Sequence, residues 1–201
     1  MLDTQTETQR KTRGALQGKR IIILGAACAF GRSMVRALDA EGAQIVAIDS
    51  SATGLKKIGV PTSLHLRDAP EVGLRRIGRG WGETRLDAVL NLMPLRHSHE
   101  IDLNIATIQG LVQGFMPALS AREGQIITVV ARPDQPLDVA TGAMAPALVS
   151  VQAAYAQALK RDGLSLNLVN VGEGAVAPAR TAVMGLLIRA VGPLTGGELR
   201  L

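Results

Sequence analysis

The chain has 201 residues, 47% of them hydrophobic and 19% charged, with a formal net charge of +5; this is enough apolar material for one packed domain and excludes wholesale disorder. Four aromatic side chains, Phe30, Trp81, Phe115 and Tyr155, argue against a base-stacking surface, and the lone Cys28 excludes both a disulfide framework and a cysteine zinc cluster. The Lys and Arg residues are scattered as on a solvated exterior, no apolar run reaches the roughly 18 residues that span a bilayer, and the N-terminus is too polar for a secretory signal, so the expectation is a cytoplasmic protein with neither nucleic-acid nor membrane partners.

Residues 1–17 are rich in Thr, Gln, Arg and Lys and read as a flexible arm ahead of a single domain over 18–201. Arg20–Gly25 is a short β-branched run, as in a strand buried on both faces of a parallel sheet. A Gly/Ala-rich turn follows, then a helix from Arg32 to about Glu41, closed by Gly42, and a second buried strand at Gln44–Asp49. Further strands are expected at 63–66, 86–91, 124–130, 165–170 and 198–201. Further helices are expected at 71–77, 101–119, 140–160 and 181–190. Repeated strand–helix alternation predicts a three-layer α/β Rossmann-type sandwich, a doubly wound parallel sheet in one domain.

The turn after the first strand carries the main functional signal. Dinucleotide-binding turns use one glycine to turn tightly, one to admit the pyrophosphate and one to pack helix against strand, and the helix N-terminus behind them favours an anion. Gly25 and Gly31 fill the first and last roles, but Ala29 stands at the middle position, where its methyl crowds a pyrophosphate. Asp49 ends the second strand 24 residues after Gly25, close to the spacing of an acid that holds the ribose hydroxyls and repels a 2′-phosphate. The alternative is that Asp49 merely caps a turn with Ser50 and Ser51. His97 and His99 suggest no third metal ligand, so no metal site is expected. A helix start lowers a thiol pKa, yet Cys28 reads as a small buried residue.

The order of motifs from Lys19 to Leu201 resembles the short-chain dehydrogenase/reductase family. Leu24–Gly31 resembles its Thr-Gly-x-x-x-Gly-x-Gly turn. Asn91 survives from its Asn-Asn-Ala-Gly segment. Asn104, with Phe115-Met-Pro117, matches the helix of its structural and catalytic Asn. Gly124–Ala131 resembles the strand that ends at the catalytic Ser, Gly163–Gly172 the stretch that ends in Pro-Gly, and Leu194–Gly197 the approach to the last strand. The resemblance implies cofactor contacts at Gly25, Ala29, Phe30, Gly31, Asp49, Asp68 and Asn91. It implies a weak NAD site, disfavours NADP, and implies no metal.

Carried across residue by residue, the family's Ser becomes Ala131, its Tyr becomes Met144 and its Lys becomes Leu148. None of these exchanges a proton, and Asn104 alone does no acid–base work. Tyr155 offers no substitute, since its nearest basic residue, Lys160, lies at i+5 and off its face. Gly172 is followed by only a short segment before the next helix, so the family's substrate lid is missing or vestigial. The helices the family uses for assembly, here 105–119 and 140–160, persist, and the second is rich in Ala. The expectation is a catalytically inactive subunit in a homo- or hetero-oligomer built through those helices, partnered by an active relative in an NAD-dependent oxidoreductase. The alternatives are a nucleotide-responsive binding protein and an active enzyme with substituted groups.

Overall fold

The computed structural model describes residues 14–190, 192 and 194–201. Seven parallel strands lie in the order β3-β2-β1-β4-β5-β6-β7. They are β1 (Arg20–Leu24), β2 (Gln44–Asp49), β3 (Thr62–His65), β4 (Ala88–Asn91), β5 (Gln125–Ala131), β6 (Ser165–Val171) and β7 (Glu198–Arg200). The helices are α1 (Ala29–Ala40), α2 (Ala52–Lys56), α3 (Pro70–Trp81), α4 (Met93–Arg96), α5 (Ile101–Ser120), α6 (Val139–Ala158) and α7 (Val176–Leu187). The expected strands all form, within two residues at either end. Helices α2 and α4 are additions, at five and four residues too short for a periodic signal.

Side chains alternate across each strand, so one strand feeds two cores. Ile22 and Leu24 of β1 pack with Leu74 of α3, Leu111 and Phe115 of α5, and Leu148 of α6. Ile21 and Ile23 pack on the other face with Met34 and Leu38 of α1 and Val183 and Leu186 of α7. Strand β1 lies between β2 and β4, each parallel and in register with it. The chain runs outward from β1 to β3 and returns on the other side at β4. The strand order therefore reverses beside β1, and ligands of doubly wound sheets bind at the carboxyl ends of the strands there.

Two expectations need correction. The domain begins before residue 18: Leu16 is 1% exposed within the α1/α7 core, and its N–H donates to the Glu41 carbonyl. Residues 1–13 of the expected arm lie outside the described residues. Helix α6 is, in fact, long and apolar enough by length and composition to cross a membrane; here it lies on the sheet, with Met144, Ala145, Leu148, Gln152 and Ala156 buried. The sequence reading missed it because Thr141, Ser150, Gln152 and Gln157 interrupt the run without adding a charge.

Candidate functional site

The carboxyl ends of β5 and β6 open onto a cleft bordered by the turn before α1, by α4, and by the β5–α6 and β6–α7 connections. Gly25 turns the chain at φ +79°, and its N–H donates to the Ile48 carbonyl at 2.8 Å. A side chain there would meet the backbone of Leu92. Gly31 lies buried in the first turn of α1, where a Cβ would come within 2.5 Å of the Ala26 carbonyl oxygen. Gly25 and Gly31 thus occupy the tight-turn and close-packing positions of a dinucleotide turn. Ala29 is exposed at the first position of α1, and Phe30 packs partly into the α1/α7 core. Cys28 caps α1, its sulfur accepting from the Gly31 N–H at 3.2 Å. Burial pushes its thiol up, against the opposing pull of that N–H and of Arg96, so the thiol stays protonated rather than becoming a nucleophile.

Asp49 does not face an open cleft. Its side chain is fully buried. One carboxylate oxygen accepts from the Ala27 N–H at 2.9 Å, the other from the Ser51 N–H at 2.7 Å. The second oxygen also pairs with the Arg96 guanidinium, which reaches it from α4. The Ser51 contact is the turn cap that the sequence left as the alternative. The Arg96 pair had no sequence signal, because α4 and the tip of β2 meet only through the fold.

Other expected site residues also engage the chain itself. Asp68 forms an ion pair with Arg76 of α3 at 2.7 Å. Asn91 is buried at the end of β4; its Oδ1 accepts from the Met93 N–H at 3.2 Å and its Nδ2 donates to Thr128 Oγ1 at 3.4 Å. Asn104 donates to the carbonyls of His97 at 2.7 Å and Glu100 at 2.9 Å, fastening α4 to α5. Its Nδ2 lies 3.6 Å from Met144 Sδ. Met144 and Leu148 are buried in the core, one turn apart on α6. Ala131 ends β5 at the cleft. Gln152, not expected from the sequence, donates to Thr128 Oγ1 at 2.8 Å and extends the Asn91–Thr128 contact into a buried polar chain. Its signal was present, since it continues the four-residue spacing of Met144 and Leu148.

Beside the turn lies a mostly apolar cavity of about 600 Å³, bounded by Phe30, Leu95, Ala131, Leu137, Val171 and Val176 among others. Its titratable lining groups are Cys28, Arg132 and Glu173. No Tyr, Lys or His lines it, and among the described residues no three His, Cys, Asp or Glu side chains gather as a metal site. The cavity is sized for a small organic group.

No protein-family model matches the chain. Solved structures do match its fold. The BdcA structure from E. coli is 21% identical, with 94% of this chain and 100% of that one covered and a TM-score of 0.69. A Pseudomonas aeruginosa RhlG/NADP active-site complex is 17% identical over 94% of this chain and 96% of that one, with a TM-score of 0.78. A Brucella ovis oxidoreductase of the short-chain dehydrogenase/reductase family, in complex with partially ordered NAD, is 15% identical over 92% of this chain and 100% of that one, with a TM-score of 0.74. The fold is therefore the Rossmann-type α/β fold of short-chain dehydrogenases/reductases; the Pseudomonas aeruginosa structure holds NADP and the Brucella ovis one NAD. Gly25 and Gly31 hold the glycine positions of such a turn, whereas the Asp49 carboxylate is already covered by groups of its own chain.

Proposed function

We propose that this chain is a non-catalytic member of the short-chain dehydrogenase/reductase family, acting as a subunit beside an active relative in a cytoplasmic NAD-dependent oxidoreductase. The observation that carries the reading is the set Ala131, Met144 and Leu148 at the positions of the catalytic Ser, Tyr and Lys. A methyl at the cleft and two buried apolar side chains supply no proton donor, and general acid–base catalysis is worth about 10²–10⁴-fold. The packing of Met144 against Asn104 supports the same assignment, because the remaining member of the tetrad is spent on fastening α4 to α5.

Assembly through α5 and α6 belongs to this reading. Helix α6 has no charged residue from Val139 to Ala158, and Ala153, Ala154 and Gln157 stand exposed on it. Helix α5 offers less free surface, because Gly110 and Gly114 are already closed against α3. The unpartnered part of the surface is therefore mainly that of α6.

The deciding experiment measures NADH oxidation and NAD reduction by the purified protein with a panel of ketones and alcohols. Background rates are expected throughout. Robust turnover that is lost on Asn104→Ala substitution would overturn the reading in favour of an active enzyme with substituted groups.

A further inference from the structure

The Arg96–Asp49 pair has a position that makes it more than a surface ion pair. Asp49 ends β2 and Arg96 sits on α4, just beyond β4. In the sheet, β1 lies between those two strands. The pair therefore bridges two strand spacings, roughly 10 Å, across the carboxyl end of β1 and its glycine turn. That is the crevice where the strand order reverses and where a dinucleotide would lie. The Arg96 side chain is 26% exposed, whereas that of Asp49 has no exposure at all. The guanidinium and the Ala27 and Ser51 N–H groups occupy the carboxylate between them. A planar guanidinium fork is the best side-chain match to a carboxylate, and it stays charged at every working pH.

We propose that Arg96 is an internal plug of the nucleotide crevice: it occupies the carboxylate that would accept the adenosine ribose hydroxyls, and so sets the affinity of this chain for NAD. The inference rests on reading the crevice as a dinucleotide site, but not on the loss of catalysis. Nucleotide binds only in the fraction of molecules in which Arg96 has left Asp49, and the apparent affinity falls by that fraction. Removing the guanidinium leaves each Asp49 oxygen with one backbone donor and releases the remaining acceptor site on the Ser51-bonded oxygen for a ribose hydroxyl. This determinant is separate from Ala29, which acts on the pyrophosphate end of the same ligand.

The test is calorimetric titration of the full chain with NAD and with NADP, which reads binding and not turnover. Arg96→Ala is expected to bind NAD at least about tenfold more tightly than the unaltered protein, the scale of one charge-assisted hydrogen bond regained. Arg96→Gln is expected to shift in the same direction and serves if the alanine variant folds poorly by circular dichroism. In the double variant Arg96→Ala/Asp49→Ala the gain should vanish, because it acts through the carboxylate. Three results would each overturn the plug: no tightening in either single variant, including the absence of measurable binding in both; a gain that survives loss of Asp49; or tighter NADP than NAD binding that disappears with Arg96, which would make Arg96 a phosphate ligand. Failure of the pseudoenzyme reading would appear only in the turnover assay.

Discussion

Asp87 shows how one carboxylate fixes the beginning of the sheet. It accepts from the Arg20 N–H at 2.9 Å, from Lys19 Nζ at 3.1 Å and from Arg85 Nε at 2.9 Å, so it ties the start of β1 to the approach to β4. Burial alone would raise its pKa; Arg85, the Arg20 N–H and Lys19 outweigh that and hold the carboxyl below its ordinary range. A depressed folded-state pKa contributes stability above the unfolded value of about 3.9, and the contribution is lost as pH falls through the folded value. Asp87→Asn should therefore destabilise the protein at pH 7 and approach the unaltered protein in strongly acid solution. Lys19 and Arg85 are each more than two-fifths exposed, so screening limits the effect to about 1 kcal/mol. Urea unfolding at the two pH values checks both the sign and the size. The same residue scale separates Asp49 from its sequence reading. Its place at a strand tip was visible, but its three donors come from the turn after β1, from Ser51 and from α4, and only the second is a sequence neighbour.

Among the elements, α3 and α5 meet through glycines. A Cβ at Gly114 would lie 2.6 Å from the Leu74 carbonyl oxygen, and one at Gly110 would lie 2.8 Å from Glu71 Cα. One at Gly78 would run into the Gly114 carbonyl. The helices can close only where side chains are absent, and backbone atoms cannot swing aside as a flexible side chain can. Gly114→Ala should cost about 1–3 kcal/mol, seen as a fall of several degrees in Tm. Gly80→Ala, on the same α3 but with nothing within 4 Å of its Cβ, should be neutral or slightly stabilising, since alanine is the better helix former. If both variants behave alike, close packing is not the reason for the glycines. This use of α5 also limits its role in assembly, because its small-residue face is already occupied within the chain.

At the scale of the whole molecule, α6 keeps an apolar surface that its own chain does not cover. A helix that is apolar all round is normally enclosed, yet α6 leaves Val139, Pro146, Ala153 and Ala154 exposed. With α5 and a second subunit it would form an interface of at least about 2,000 Å², as permanent interfaces usually do. Sedimentation of the purified protein is expected to give an oligomer at micromolar concentration, and Ala154→Glu is expected to dissociate it without unfolding. A well-behaved monomer would remove the basis for a partner subunit. An oligomer indifferent to the charge would place the interface elsewhere.

The alternation of β-branched strands with amphipathic helices, and the glycines at positions 25 and 31, made the doubly wound sheet and its turn legible from the residues alone. Burial on both faces leaves a periodic trace in the chain, and a tight turn leaves a glycine. That Ala131, Met144 and Leu148 stand where they do is a matter of identities; that these are the catalytic positions of the family belongs to the proposal. What the tertiary structure decided is the state of each remaining polar group. Asn91 and Gln152 meet on Thr128, and Asn104 spends its amide on two carbonyls. Arg96 finds Asp49 across 47 residues of sequence. A lone acid at a strand tip has the same sequence whether it faces a ribose or a guanidinium. Which of the two it meets depends on where a four-residue helix delivers its last side chain, and that is set by the order of the strands rather than by any local pattern.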